Sequence, residues 1–482
     1  MSHTTLLTIA VAGVAVLLLL ILKAKVQPFV ALVVVSIGVA LTAGVPAADL
    51  VKTIEDGMGA TLGHIATIIA LGAMIGRIIE LSGGAHSFAH SLIDRFGSRR
   101  TPLALTVAGF VLGIPVFFEV GLIILMPIAY GVARASRKPL LVYALPMGAA
   151  MLTVHAFLPP HPGAVAVTEA IGASQGLVLL MGIPVTAVVV LLGYLFSRRL
   201  TRREYPMDPV VYAEVYGEPD AGDRGDSRPA ARPAEGTQND GGHATAVLAK
   251  PVAPATEVRP PSFGMVLTLI VTPILLILLG TIGQNALAEG STLRAVLTVL
   301  GAPMVALLID VTLCGYFLGA RRGWNRARIA EVMGSALPPV AMVILVAGAG
   351  GVFGKVLVAS GIGGAIADIL ERTGLPALFL AFLTCLALRA AQGSATVALI
   401  TTAGILTPLL QRADLSTGQL SLVALAMGAG ALSVSHINDA GYWMFTKLAG
   451  LDVAAGLRTW TVLTTVMGFA GFALTAALWP LV

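Results

Sequence analysis

The chain has 482 residues, of which 57% are hydrophobic and 11% are charged. Its mean hydropathy is +0.90, and this composition excludes an ordinary soluble domain and predicts a polytopic helical membrane protein. The formal net charge of +5 does not indicate nucleic-acid binding, because the basic residues collect in short loops between apolar runs and have no aromatic residues among them.

The first apolar run, residues 5–22, has no Lys or Arg before it and is followed at once by Lys23, Lys25 and a second run. This pattern predicts a retained span instead of a cleaved signal peptide. Ten single crossings place most basic residues on one face, which the positive-inside rule assigns to the cytoplasm. We therefore expect a multi-pass protein of the cell inner (plasma) membrane, with spans at residues 5–22, 26–44, 61–81, 139–168, 176–196, 263–285, 293–319, 335–358, 418–446 and 459–480.

Residues 101–133 form an apolar segment that must leave and return on the same side, because basic clusters flank both of its ends. The segment is interrupted by GIPVFFEVG, Gly113–Gly121. Irregular backbone is tolerated at membrane depth only where protein buries it. The sequence thus predicts a re-entrant hairpin.

The stretch HAFLPPHPG, residues 155–163, ends a run that should be crossing the bilayer. Its prolines cannot continue a regular helix, since proline lacks an amide donor and clashes with the preceding turn. A broken helix creates a new half-helix N-terminus, whose partial positive charge attracts a carboxylate. This break therefore favours a small-anion site.

The two halves of the chain repeat each other across a polar segment. GAMIGRIIELSG (72–83) aligns without gaps on GGVFGKVLVASG (350–361), and MGAAMLTV (147–154) aligns on MGAGALSV (427–434). The predicted domains are a first membrane repeat at residues 1–203, a disordered cytoplasmic linker at 204–262 and a second membrane repeat at 263–482. Five crossings precede the linker, so the second repeat starts from the opposite face and the repeats are inverted.

The repeat predicts a second hairpin at residues 375–411, with its tip in AAQGSATVA, and a second helix break in SHINDAGYW (435–443). The predicted fold class is an all-α polytopic membrane protein with two inverted-topology repeats. Each repeat contains one re-entrant hairpin and one broken helix. We expect the two tips and the two breaks to meet near the bilayer midplane.

These same strings resemble the gluconate permeases, which are gluconate:proton symporters, and the resemblance extends over both halves. It implies an importer of gluconate or a related sugar acid with protons. It also implies membership of a broader group of dimeric carboxylate transporters in which a transport domain moves against a fixed scaffold. On this basis we expect an elevator-type homodimer with no cofactor, whose partners are the sugar acid, protons and membrane lipid.

In the first half, Glu119 lies in the hairpin tip between phenylalanines and a glycine, where an ionised carboxylate is disfavoured. It is a candidate proton carrier, or a structural carboxylate that caps amides. His155 and His161 could titrate near physiological pH or donate to substrate hydroxyls, or they could only stabilise the proline break. Gly121 is a candidate substrate contact in the same tip.

In the second half, Gln392, Ser394 and Thr396 supply neutral donors at the hairpin tip, and Gly393 lets a ligand approach the backbone. The neighbouring Arg389 could pair with a substrate carboxylate or balance a nearby acid.

Two further candidates lie in the second break. Asn438 could bind polyol hydroxyls and Asp439 could bind a proton, although an Asx turn at the helix break is the competing interpretation.

Several alternatives stay open at this level. The substrate could be another small hydroxy-monocarboxylate, such as glycerate or a keto-deoxy sugar acid, and a coupled sodium ion is not excluded. An intramembrane metal-dependent hydrolase is the rival enzyme class, but the sequence contains no HExxH motif, and we expect no metal. Cys314 and Cys385 have no metal-like spacing and are expected to be small buried thiols.

Overall fold

The computed structural model describes residues 1–217, 260–362, 365, 376–437 and 439–482. Within these ranges the chain is helical, its one extended contact being an isolated bridge between Met207 and Leu451. In the same ranges, nine helices are long and apolar enough to cross a membrane. Most of the predicted linker, together with Asn438, lies outside the described residues.

The first half consists of ten helices within its described residues, and several begin at a side-chain cap. Ser2 caps the first helix and Ser174 the ninth, each by accepting a hydrogen bond from a backbone amide three residues later. The helices are α1 (His3–Leu22), α2 (Pro28–Thr42), α3 (Ala47–Leu81), α4 (Gly84–Phe96), α5 (Thr101–Leu112), α6 (Phe118–Ser136), α7 (Leu141–Phe157), α8 (Pro162–Ala170), α9 (Gln175–Leu200) and α10 (Pro209–Tyr216).

The second half follows the same order. Ser262 caps its first helix, and Ser416 forms a capping box with Gln419. Its described helices are α11 (Phe263–Ala286), α12 (Thr292–Leu300), α13 (Pro303–Cys314), α14 (Arg326–Ser335), α15 (Leu337–Ala359), α16 (Ala377–Gln392), α17 (Ala395–Leu410), α18 (Thr417–Leu432), α19 (Ala440–Leu448), α20 (Val453–Gly456) and α21 (Val462–Leu478).

The predicted fold class is confirmed, because corresponding elements occur in both halves. The hairpin α5–α6 corresponds to α16–α17, and the broken helix α7–α8 corresponds to α18–α19. The long helices α3 and α15 lie side by side. At Gly351 on α15, an added Cβ would stand 1.9 Å from Thr61 Oγ1, so this close approach requires glycine. The chain is therefore built from two inverted-topology repeats that pack on each other.

Three predicted spans differ in length or continuity from the observed helices. α2 has 15 residues and is only about 22 Å long, because Thr42 is followed by the turn at Ala43–Gly44. α3 has 35 residues and starts at Ala47, fourteen residues before the predicted start. The predicted span 293–319 is divided into α12 and α13 at Gly301, where the backbone of Gly280 on α11 approaches too closely for a side chain.

Residues 207–217 are folded, whereas we expected them to belong to a disordered linker that starts at residue 204. Asp208 caps α10 by accepting from the amide of Val210 at 2.9 Å. The guanidinium of Arg134 on α6 donates to the carbonyls of Glu214 and Val215 at the end of α10. Arg134 thus anchors the end of α10 to the first half, and the amide of Asp208 donates to the carbonyl of Gly450 in the second half at 2.8 Å.

Candidate functional site

The tips of both hairpins and the second helix break lie around one cavity of about 200 Å³. Three helices, α6, α17 and α19, begin at its wall. The residues that line it are Phe118, Glu119, Leu152, His155, Arg389, Gln392, Gly393, Ser394, Ala395, Thr396, Asp439, Ala440 and Gly441. The structure thus brings seven of the ten predicted site residues to one place.

A second, larger cavity of about 530 Å³ shares four of these lining residues, namely Glu119, His155, Ser394 and Thr396. It extends towards α3 and the junction of α14 with α15, where Ser335 forms part of its wall. The four shared side chains therefore lie between the two cavities.

The second hairpin tip is held to the second break by a buried ion pair. Arg389 is 1% exposed, and its guanidinium donates to the carboxylate of Asp439 and to the carbonyl of Gly393. Gly393 has a φ of +79°, a left-handed conformation that favours glycine. Arg389 therefore balances the negative charge of a neighbouring acid, which is one of the two roles that the sequence allowed.

Asp439 caps α19 in addition to pairing with Arg389. Its carboxylate accepts from the amide of Gly441 at 2.9 Å and from the hydroxyl of Ser435. The indole of Trp460 donates to the same hydroxyl at 2.7 Å. These contacts are those of an Asx cap at a helix break, and they occupy the carboxylate that we considered as a proton carrier.

Two predicted site residues lie outside the cavity linings. His161 is buried and donates from Nε2 to the carbonyl of Gly113 in the first tip. Gly121 packs against Met151, whose Cε would stand 1.9 Å from an added Cβ. Both residues therefore make contacts within the first half. The tenth predicted residue, Asn438, lies outside the described part of the chain.

A histidine in the second break makes the corresponding contact. His436 donates from Nε2 to the carbonyl of Ala390 at 2.9 Å, beside the second tip. In each half, one histidine of the break therefore ties that break to its own hairpin. The pattern SHINDAGYW contains His436 but does not indicate its role, and no local pattern singles out Trp460.

Gln392 carries side-chain polar atoms that are left unsatisfied by the described residues. Its Oε1 and Nε2 are buried at the cavity, and neither has a hydrogen-bond partner in the described part of the chain. Buried polar groups are nearly always paired, so an unpaired amide at a cavity indicates a place for a ligand or water.

His155 stands at the boundary between the two cavities. Its Nε2 lies 3.5 Å from Thr396 Oγ1, and its Nδ1 has no partner among the described residues. Its ring centroid is 4.7 Å from that of His161. The free nitrogen allows His155 to donate to or accept from a molecule in either cavity.

The arrangement can bind a small anion. First-turn amides have no carbonyl partner within their own helix, and three helix N-termini face the cavity. Glu119 occupies the first turn of α6, where no cation lies within ion-pair distance in the described residues. The described residues contain no group of three His, Cys, Asp or Glu side chains that could hold a metal ion.

Comparison with known proteins gives matches over both halves. The family described as "GntP family permease" matches residues 4–221 and 243–482. The inner membrane permease YgbN of Escherichia coli K12 is 46% identical over 482 residues, which is 100% of both chains. A gluconate permease of Bacillus licheniformis is 35% identical over 477 residues, covering 98% of this chain and 99% of that one.

The fold is similar to that of a solved transporter. The YdaH transporter of Alcanivorax borkumensis superposes with a TM-score of 0.61 at 14% identity, covering 94% of this chain and 98% of that one. At this identity the likeness concerns the fold alone. The relatives are permeases, so the prediction of a membrane transporter in place of an enzyme is confirmed.

Proposed function

The chain belongs to the GntP permease family, and on that premise we propose that it imports gluconate or a related sugar acid together with protons. The gluconate permease of Bacillus licheniformis, at 35% identity, supports this substrate class. The observation that carries the proposal is the 200 Å³ cavity bounded by both hairpin tips and three helix N-termini.

In this proposal the substrate carboxylate binds at the N-terminus of α17. Ala395 and Thr396 line the cavity, and their first-turn amides have no carbonyl partner within the helix. The other two N-termini are less suited to an anion, because Glu119 occupies the first turn of α6 and Asp439 caps α19. A carboxylate at α17 gains from both the amides and the helix dipole.

The hydroxyl groups of the acid bind the neutral polar side chains around the cavity. Gln392 offers a donor and an acceptor, and His155 offers its Nδ1, and none of these atoms has a partner among the residues that the structure describes. Ser394 and Thr396 line both cavities, so they can contact substrate on its way in. Asn438 completes this proposed set from the second break.

Glu119 is the proposed proton carrier. It faces the site from the apolar first tip, beside the buried ring of Phe118. A proton on Glu119 neutralises its carboxylate. It therefore lowers the free-energy cost of moving that side chain, together with an anionic substrate, through a low-dielectric environment. Asp439 is the reserve candidate, because protonating it would break its pairing with Arg389. We further propose that the transporter works as a homodimer.

Uptake into proteoliposomes tests the proposal. Labelled gluconate should accumulate when the lumen is made alkaline, saturate with concentration, and stop when a protonophore collapses the gradient. Competition by glycerate and by a keto-deoxy sugar acid ranks the substrates, and a sodium gradient alone tests sodium coupling. Uptake that is neither saturable nor driven by the pH gradient would contradict proton-coupled transport.

A further inference from the structure

Asp310 is a buried carboxylate that plays no part in the candidate site. It lies on α13 and is 0% exposed. Its Oδ1 has no hydrogen-bond partner among the described residues, and its Oδ2 accepts a weak bond from the thiol of Cys314 at 3.8 Å. A carboxylate this poorly satisfied inside a membrane protein marks a functional position.

Asp310 lines a small cavity of about 20 Å³, which has room for roughly one water molecule. The cavity walls come from different parts of the molecule. They include Gly72 on α3 and Pro273 on α11, together with α13 itself. Pro115 of the first hairpin tip and Pro160 of the first break also line the cavity.

Within the described ranges, no cation forms an ion pair with the Asp310 carboxylate. Among the residues that line this cavity, Asp310 is the only titratable one, and the polar Gln175 donates its amide to Glu169 at 2.6 Å. Nearby, His161 follows Pro160 but donates to Gly113, and the Cys314 thiol lies one turn away on α13. An ionised carboxylate without a cation or strong donors is heavily disfavoured, so Asp310 holds a proton in this conformation.

We propose that Asp310 is a second proton-binding site, which is protonated while the first hairpin tip is closed over α13 and can release its proton when that interface opens. The proposal rests on the proposed function. The tip and the break that cover Asp310 are the same segments that shape the substrate site, through Glu119 on one and His155 on the other.

The physical link between proton binding and movement is access of water to this carboxylate. Alternating access requires the substrate site to open to each face in turn, so the tip must shift relative to some of the helices around it. When Pro115 or Pro160 moves away, water enters the cavity, and Asp310 can release its proton to that water as it becomes a carboxylate. It must take up a proton again before the interface can close.

Infrared difference spectroscopy tests the protonation directly and does not depend on transport. The wild-type protein should show the C=O stretch of a protonated carboxylic acid that disappears as the pH is raised, and Asp310→Asn should lack this band. Cys314→Ala should shift the band, because it removes the contact between Sγ and Oδ2. This shift would assign the band to Asp310 even if Asp310→Asn does not fold. The exposed carboxylate variant Asp49→Asn is the control and should leave the band unchanged.

Exchange of labelled for unlabelled gluconate tests the link to movement. In a Glu119→Gln background, exchange should fall about tenfold per pH unit above the midpoint of the infrared band, because one proton must rebind. Adding Asp310→Asn should make exchange insensitive to pH over that range. An absent band, a band that never titrates, or an unchanged pH profile in the double variant would overturn the proposal. Failure of every form to exchange gluconate would instead contradict the proposed function and leave the infrared result valid.

Discussion

Arg389 and Asp439 form a buried ion pair that joins the tip of the second hairpin to the start of α19. The same guanidinium donates to the carbonyl of Gly393, so one side chain fixes both the left-handed turn and the helix break. Both residues line the 200 Å³ cavity. The geometry of the second tip thus depends on two residues 50 positions apart.

Removing one member of this pair should be far more damaging than removing both. We expect Asp439→Asn alone to destabilise the protein by about 3–5 kcal/mol, because it leaves the buried charge of Arg389 uncompensated. Adding Arg389→Met should recover much of that loss, since the Asn at position 439 can still cap α19. Thermal unfolding in detergent measures both effects.

The exposed pair Arg328–Glu331 is the matched control for this experiment. Its side chains are 48% and 67% exposed, and exposed pairs contribute about 0–1 kcal/mol. Glu331→Gln should therefore barely change the unfolding temperature. If the single and double variants at Asp439 and Arg389 unfold alike, the two residues are not energetically coupled.

We expect the Gln392 amide to strengthen gluconate binding and to lower the stability of the empty protein. Gln392→Met removes two buried polar atoms that have no partner in the part of the chain that the structure describes, so the empty protein should become more stable. The same change should weaken gluconate binding about threefold to tenfold if the amide contacts a hydroxyl, since one such hydrogen bond contributes about 0.5–1.5 kcal/mol. Unfolding temperature and equilibrium binding are measured on the same preparation.

Thr401→Val provides the control for Gln392→Met. The hydroxyl of Thr401 is also buried without a partner among the described residues, but Thr401 lines neither cavity of the site. Its replacement should raise stability and leave affinity unchanged. Equal affinities for Gln392→Met and the wild type would exclude Gln392 from the site.

Sequence reasoning recovered the fold because hairpins and breaks leave local signals. Proline and glycine at residues 113–121 and 155–163 interrupt apolar runs, and the interruption itself is the structural feature. Span lengths were less accurate. The polar first turns of α3, with Lys52 and Glu55, do not resemble a span, although the helix continues through them.

The site was predicted only in part, because pairing across the fold has no local signal. Arg389 could have faced substrate or an acid, and only the structure shows Asp439 beside it. His161 and His155 stand six positions apart in one break, yet one bonds a carbonyl and the other faces the cavity. Asp310 lies in an apolar run far from every motif, so nothing in the sequence placed it against the first tip.

The inverted repeat predicts that the mouths of the two hairpins open to opposite faces of the membrane. Ser98, before α5, and Asp414, after α17, are both exposed and suit single cysteine substitutions. Cys314 and Cys385 are buried, so the native thiols should give little background. An impermeant maleimide should label Ser98→Cys only from the cytoplasmic side and Asp414→Cys only from the outside. Labelling of both positions from one side would contradict the inverted arrangement.

Glu119→Gln should separate proton coupling from substrate movement. The amide keeps the shape of the side chain at the boundary of the two cavities and permanently imitates its protonated form. Accumulation driven by a pH gradient should be lost, whereas exchange of labelled for unlabelled gluconate should persist, because exchange requires no net proton movement. Glu55→Gln on the exposed face of α3 is the control and should retain both activities. A Glu119→Gln variant that still concentrates gluconate against its gradient would show that this carboxylate is not the carrier. Asp310, whose Oδ1 has no partner among the described residues, would then be tested before the reserve candidate Asp439, whose carboxylate pairs with Arg389.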